Sequence, residues 1–506
     1  MRSMMKNKRH TSHESDSPVY FNRSVFSRGI ILVFTLVLLG FSPVLSSGKP
    51  TEHNIVKPKK GVDEVQEFDL SAVRLLDSPF KHAMDMDQKY MLELNPDRLL
   101  APYFKSAGLK PKAKQYKGWE STPLSGHILG HYLSATSMMY AATGDKRFKQ
   151  RVDYIVGQLD TCQQAGRDGY IGGIPDGRKL WREVENDTIK TEPFSLNGVW
   201  SPWYNLHKVY AGLRDAYVYT GNKEAKDVLI RYSDWAVDFS NHLTDAQFKH
   251  MLRCEYGGMN EVMADVYALT GQKKYLDLSR RFNDQVIFNP LAEGVDLLAG
   301  QHVNTQLPKI IGAAREYELD DSQKMKDVAS YFWNEVTDKR IYINGEMGDG
   351  EHFGKLGDLH NRLGKASGET CNVYNMLKLT NHLMQWKPEA RYAAYYERAL
   401  YNDILASQDP ETGMMTYFIS LAPGFFKTFS DPYDSFWCCV GTGLENHAKY
   451  GADIYLHSDS DLYVNLFIPS VLNWEKKGLT LKQETHFPDS QKSKLKLSLD
   501  HPQKLV

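Results

Sequence analysis

At 506 residues the chain exceeds what a single hydrophobic core fills, so about two domains are expected. Its 61 lysines and arginines nearly cancel 62 aspartates and glutamates, which excludes the basic field of a nucleic-acid binder and points to a neutral partner. Aromatic residues make up 12%, with 29 Tyr and 9 Trp; such rings either stack on sugar C–H faces or fill a large core.

In chain order, the first element is an apolar run over 29–46, GIILVFTLVLLGFSPVLS. It follows a basic flank (Lys6, Lys8, Arg9, Arg23, Arg28) and precedes Ser46, Ser47 and Gly48. That order predicts a secretory signal and flank over 1–48, hence export to the periplasm or medium. An uncleaved membrane anchor is the competing reading.

From about 66 to 450 the pattern is helical. Tyr-x-x-Thr-Gly-x-Lys recurs from Tyr140 to Lys146, Tyr217 to Lys223 and Tyr267 to Lys273. Upstream of the first copy, Ile128, Tyr132, Ala135, Met139 and Ala142 share one helix face; Leu206, Tyr210, Leu213 and Tyr217 repeat the spacing. Gly144, Gly221 and Gly271 then act as left-handed stops. Second helices follow, as at Lys223–Phe239 and Lys273–Phe282. A degenerate copy begins at Glu316–Leu319, a fifth hairpin spans Val373–Gln385 and Ala390–Ser407, and a first lies across Phe80–Ala101. Six pairs predict a mainly α fold, an (α/α)6 barrel or helical-hairpin toroid, with an open solenoid as the alternative. Long loops such as Gly166–Trp203 favour closure around one mouth. After Tyr450, DIYLHS, LYVNLFIPSVL and SKLKLSL read as strands, so 451–506 is expected to begin a β-sandwich domain with too few strands to complete it, or to pack on the helical body.

Five cysteines (Cys162, Cys254, Cys371, Cys438, Cys439) are an odd and sparse set for a disulfide framework, and adjacent cysteines bridge only with strain. Cys371 lies in SGETCNVYNMLKLT, two residues after Glu369, and Cys438-Cys439 in SFWCCVGTGLENHAKYG. Three thiolates and a carboxylate complete a tetrahedral zinc set; otherwise these are small buried residues. Glu351 sits in Gly-Asp-Gly-Glu-His-Phe-Gly, where aromatic surroundings would raise a carboxyl into the range of a general acid, unless it is a solvated turn residue. His127 and His131 share a helix face at i, i+4, without an HExxH signature; a polar cavity edge is the economical reading. His207 and His302 begin helices of the series and point at the mouth, or are structural.

The stretches GETCNVYNMLKLT, YYERALYNDILASQ, WCCVGTGLENHAKYG and LYVNLFIPS resemble the β-L-arabinofuranosidases of glycoside hydrolase families 127 and 146, family 146 more closely, as do EYGGMNEVMADVYALTG, GYIGG and PWYNLHKVYAGLRDAY. The resemblance covers about 65–470. It implies an (α/α)6 barrel followed by β-sandwich domains and a Cys3Glu zinc site. Carried onto this chain, it implies Glu369, Cys371, Cys438 and Cys439 as Zn2+ ligands, Cys438 also as nucleophile, and Glu351 as acid/base. His207, His302, His131 and Trp437 are the expected sugar contacts. The implied activity is retaining release of β-L-arabinofuranose from plant-type glycans or glycopeptides, with no nucleic-acid partner and no membrane partner beyond the signal or anchor. A related glycosidase for another furanoside or deoxy sugar, and a non-catalytic sugar-binding toroid with structural zinc, are the competing readings. Retaining chemistry places the nucleophile and acid/base about 5–5.5 Å apart, so a gap beyond about 10 Å would exclude this pair.

Overall fold

Each copy of the tyrosine and glycine phrase ends a helix. Gly144, Gly221 and Gly271 all take left-handed φ, from 69° to 75°, and each donates its N–H to the tyrosine carbonyl of its phrase at 2.7–2.9 Å. In the degenerate fourth copy Asp321 takes the same role at φ 64°, its N–H reaching Tyr317 at 2.8 Å. Aspartate tolerates this region better than most residues, which is why the helix stops there without a glycine.

The computed structural model describes residues 62–502. The run over 29–46, expected as a signal or anchor, lies outside them. Twelve barrel helices follow in order: α1 (Pro79–Glu93), α2 (His127–Thr143), α3 (Lys146–Gly166), α4 (Pro202–Thr220), α5 (Lys223–Asn241), α6 (Met259–Thr270), α7 (Lys273–Arg281), α8 (Val303–Asp320), α9 (Gln323–Lys339), α10 (Thr370–Trp386), α11 (Ala390–Ala399) and α12 (Cys438–Ala448). The even-numbered helices form the inner ring. Each packs on the next, and α12 packs back on α2, so the toroid is closed and the open solenoid is excluded. The odd-numbered helices form the outer ring, with α1 covering α12. Inner helices are buried almost all round, as α2 shows; outer helices such as α5 bury a single stripe.

The closest inner crossing, α2 on α4, is set by small residues. A Cβ on Gly130 would stand 2.2 Å from the Lys208 carbonyl carbon, so only glycine lets these backbones meet. Each inner helix except α12, whose outer partner α1 comes first in the chain, turns into its outer partner within two or three residues, whereas the returns to the ring are long. All inner N-termini therefore open on one mouth. The Gly166–Trp203 loop holds more structure than its composition suggested: a helix, Gly177–Glu185, and a small antiparallel sheet at Thr191–Glu192, Ser195–Leu196 and Val199–Trp200. The stretch expected as helix to Ser407 leaves the α form after Ala399 through a π turn and a 3-10 turn.

Away from the mouth, a cavity of about 530 Å³ is lined by the middle and C-terminal parts of inner helices and by residues 63–70, and there Arg214 and Arg315 pair with Asp265, Glu318 and, in the first turn of α6, Glu261. The C-terminal strands do pack on the helical body, and residues from the other end of the chain join them. Gln66–Glu67 pairs with Tyr455–His457, and Val73–Leu75 pairs with Ser470–Trp474, edging a four-stranded antiparallel sheet completed by Leu479–Thr485 and Ser493–Leu499.

Candidate active site at the barrel mouth

Two inner helices begin side by side at the mouth. Glu369 is the N-cap of α10 and Cys371 its second residue; Trp437 is the N-cap of α12, with Cys438 and Cys439 its first two residues. The free N–H groups of a helix start favour negative charge, so thiolates and a carboxylate are well placed there. Cys371 Sγ and Cys439 Sγ lie 3.2 Å apart, Cys438 Sγ and Cys439 Sγ 3.8 Å, and Cys438 Sγ and Glu369 Oε1 4.0 Å. A tetrahedron of zinc–sulfur bonds has edges of about 3.8 Å. All four donor atoms fall within 4.8 Å of one another, and Glu369 Oε2 is buried with no protein partner. The residues therefore fit a zinc ion in donor type and spacing. Cys371 and Cys439 are 0% and 1% exposed, Cys438 9%, so Cys438 offers the most accessible sulfur. Hydrogen bonds from the Cys371 and Cys439 thiols hold the Cys438 thiol well below its usual range, while burial pushes the other two up.

Glu351 faces this cluster from the loop before α10. Its φ of 67° is a left-handed conformation that a glutamate rarely adopts, fixed by the Val303 N–H donating to its carbonyl at 2.8 Å. Tyr417 donates to Glu351 Oε1 at 2.5 Å, and its hydroxyl oxygen lies 3.7 Å from Cys438 Sγ. Glu351 and the Cys438 sulfur are therefore no more than about 6 Å apart, close to the retaining separation. His302, the N-cap of α8, places Nε2 3.2 Å from Glu351 Oε2. Aromatic surroundings do not raise this carboxyl as the sequence suggested: the His302 hydrogen bond, aided by Tyr417 and opposed by burial, holds it below the usual range. Glu351 has 32% of its side chain exposed and is reachable from solvent, whereas Glu369 is 2% exposed.

The other expected residues lie near the inner-helix starts around the same mouth. His131 is fully buried on α2, 2.5 Å from Glu445 Oε1 through Nδ1. Burial and the nearby Lys208 push its pKa down; despite burial, His131 and Lys208 take the Glu445 carboxyl down to about 2. A neutral His131 donating from Nδ1 leaves Nε2 as an acceptor without a protein partner. His207 falls in the second turn of α4 rather than at its start, its ring wedged against Gly257 and Gly258, where a Cβ would come within 2.9 Å. His207 Nδ1 and His302 Nδ1 likewise lack protein partners. With His127 Nδ1, four buried ring nitrogens around the mouth are left without a protein partner, as groups that bind water or a hydroxyl-rich ligand would be. His127 places its Nε2 3.0 Å from the Phe436 carbonyl. Trp437 is half-buried, edge-on to Tyr417 at 5.9 Å, and joins the main core.

Residues not singled out from the sequence complete the site. Leu124 and Tyr204 pack with the three cysteines, and Trp119, Trp200 and Tyr417 cover them, with Trp119 and Trp200 rings 4.8 Å apart. Glu255, held by Ser201 at 3.1 Å, stands near His302 and Cys438, and burial raises its pKa. The visible signal was tryptophan in glycine-rich loops; Tyr417, in MMTYFIS, had none.

Comparison with known proteins bears on the family and the fold. The family model for the β-L-arabinofuranosidase GH127 catalytic domain matches residues 72–452, and that for the GH127 middle domain matches 461–506. A non-reducing end β-L-arabinofuranosidase from Bifidobacterium longum subsp. longum is 24% identical over 371 residues, 61% of this chain and 55% of the relative; the match thus takes in about half of that protein's length. Among solved structures, a GH127 β-arabinofuranosidase superposes with a TM-score of 0.67 at 18% identity, covering 87% of this chain and 70% of the other. The GH127 β-L-arabinofuranosidase Ara127N from Geobacillus stearothermophilus T6 gives 0.66 at 19%, covering 85% and 73%. These structures share the (α/α)6 barrel and C-terminal β domain.

Proposed function

The chain belongs to the GH127 β-L-arabinofuranosidase family, and from that premise we propose that it is a retaining glycoside hydrolase releasing β-L-arabinofuranose from plant-type glycans or glycopeptides. The observation that carries the reading is the Cys438–Tyr417–Glu351 line: the most exposed of the three cysteines and a reachable carboxyl no more than about 6 Å apart, bridged by one hydroxyl. The nearer kinship to family 146 rests on the long stretches GETCNVYNMLKLT and WCCVGTGLENHAKYG. Export rests on the charged flank and apolar run over 29–46.

Glu369, Cys371, Cys438 and Cys439 would hold Zn2+, whose charge keeps coordinated thiols deprotonated at neutral pH. The idle nitrogens of His131, His207 and His302 accept from or donate to ring hydroxyls, orienting the anomeric carbon over Cys438. The Cys438 sulfur pair forms a C–S bond as the glycosidic C–O bond breaks, and Glu351, which must take up a proton from solvent before this step because its free carboxyl is held ionised, gives that proton to the departing oxygen. In the second step water attacks the same carbon, its proton returns to Glu351, and the C–S electrons return to Cys438. Trp119, Trp200 and Tyr204 wall off bulk water around the sulfur.

The test is hydrolysis of a β-L-arabinofuranosyl glycoside by wild type, Cys438→Ser and Glu351→Gln, with zinc content and melting temperature measured on each. Loss of turnover in both variants, with Glu351→Gln keeping its zinc, supports the roles. Full activity in Cys438→Ser removes the nucleophile assignment.

A further inference from the structure

A second group of metal-ligating atoms lies against the sulfur cluster. One ligand atom from each of His302, Glu351 and Glu369 falls within 4.8 Å of the other two. His302 Nε2 and Glu351 Oε2 are 3.2 Å apart, and two ligands on zinc bonds of about 2.0–2.1 Å stand about 3.4 Å from each other. A hydrogen bond would account for that pair and leave Glu369 out. Glu369 Oε1 lies 4.0 Å from the Cys438 sulfur, whereas Oε2, on a residue only 2% exposed, has no protein partner. A zinc ion among the sulfurs is satisfied by one Glu369 oxygen. The other oxygen is then free to bridge to a second cation about 3.5–4 Å from the first, the spacing of two-metal sites.

Charge favours the bridge. One divalent ion on three thiolates and a carboxylate leaves that set two units negative, and the Glu351 carboxylate adds a third. Glu369, Cys371 and Cys439 are shut away from water, so this excess is poorly screened. His302 and Glu351 are 14% and 32% exposed in their side chains, which gives an ion an entry path from the mouth. One imidazole and two carboxylates suit Zn2+ or Co2+ and offer too few oxygens for Ca2+.

We propose that His302, Glu351 and Glu369 form a second divalent-cation site that shares Glu369 with the sulfur cluster, and that filling it stops turnover. The site stands on geometry and charge; the effect on turnover rests on the glycosidase reading, because an ion on Glu351 occupies the lone pair that must carry the proton. The test takes the full chain carrying one zinc after gel filtration and titrates it with Zn2+ in equilibrium dialysis. Wild type is expected to take up a second zinc. His302→Ala and Glu351→Gln should each keep the first and bind the second at least about tenfold more weakly. Melting temperature is measured on both, and Glu351→Gln, which keeps the side-chain volume, decides the matter if His302→Ala does not fold. Co2+ offered as the second ion should give weak visible bands without sulfur-to-metal absorption, since its donors are nitrogen and oxygen. Hydrolysis of methyl β-L-arabinofuranoside by wild type should fall by half at the Zn2+ concentration that half-fills the second site. Uptake of one zinc only, or a second bound equally by wild type and both variants, overturns the site. Undiminished turnover with the second site full overturns the switch. A second zinc held by wild type and lost from the variants, with no β-L-arabinofuranoside cleaved at either loading, keeps the site and removes the glycosidase reading and the switch with it.

Discussion

Replacing Tyr417 with phenylalanine removes one oxygen from the line joining Cys438 and Glu351, the proposed nucleophile and acid/base. That hydroxyl donates to Glu351 at 2.5 Å and approaches Cys438 at 3.7 Å, while its ring packs on Phe418 at 4.5 Å and on Trp119 at 6.2 Å. Phenylalanine keeps the ring contacts, so the melting temperature should hold to within a few degrees. A hydrogen bond to a charged group contributes about 1.5–3 kcal/mol, and each 1.4 kcal/mol is a factor of ten, so kcat should fall about 10- to 100-fold. Because Tyr417 acts through Glu351, the loss should be greater for an alkyl leaving group, which needs the proton, than for nitrophenolate, which departs without it. Steady-state kinetics on a methyl and a nitrophenyl β-L-arabinofuranoside, with zinc content measured on both proteins, gives the comparison. A kcat within twofold of wild type would refute the line as drawn. Equal losses on both substrates with zinc gone would reduce Tyr417 to a support of the metal cluster.

Three further outcomes follow from the packing, the metal cluster and one buried charge. Gly130→Ala should destabilise by about 3 kcal/mol or more, since its Cβ meets backbone at 2.2 Å, whereas Gly144→Ala, strained at φ 75° but with open space around it, should cost about 1 kcal/mol; urea unfolding of both variants checks the order. Removing metal by dialysis against a chelator should abolish turnover and lower the melting temperature, and refilling with Co2+ should give intense sulfur-to-metal absorption that Cys439→Ser weakens. Glu316 is buried between Ser279 and Asn283, and burial raises its pKa to about 7. The unfolded chain ionises first, so this group's stabilising contribution is complete below about pH 4.5 and lost as pH rises to 7, by at most about 3 kcal/mol. Glu316→Gln should flatten that decline in urea midpoints between pH 5 and pH 8; an identical slope in wild type and variant refutes it.

What the sequence disclosed depends on how local the cause is. The helical hairpins were legible because the stop signal and the buried face both lie within twenty residues, and α5 ends at Asn241, two residues past the expected Phe239. The small sheet over Thr191–Trp200 was not legible: its strands are two residues long and have no periodicity to read. Nor was the pairing of Val73–Leu75 with Ser470–Trp474, since a three-residue strand gains its register only from a partner at the other end of the chain. The cysteine and glutamate cluster was legible by residue type only as one of two readings, and its assignment as a ligand set came from the family resemblance. The lowered pKa of Glu351 was not, because its cause is His302, 49 residues away and delivered by the start of a different helix.

The polarity of the ring explains why the chemistry gathers where it does. Every inner helix enters from a long loop at the mouth, and all but α12 leave by a tight turn at the far end, so partial positive charge from the helix starts accumulates at one opening. The cysteines and Glu369 occupy two of those starts, α10 and α12, and His302 caps a third, α8, beside Glu351. At the opposite end, helix C-termini carry the opposite sign, and Arg214 and Arg315 sit within the charged cavity there. Moving the thiolate cluster to that end would set three sulfurs against carbonyl dipoles and acidic neighbours. A cluster of thiolates and a carboxylate is thus better served at the mouth, where the helix starts and the aromatic wall also meet.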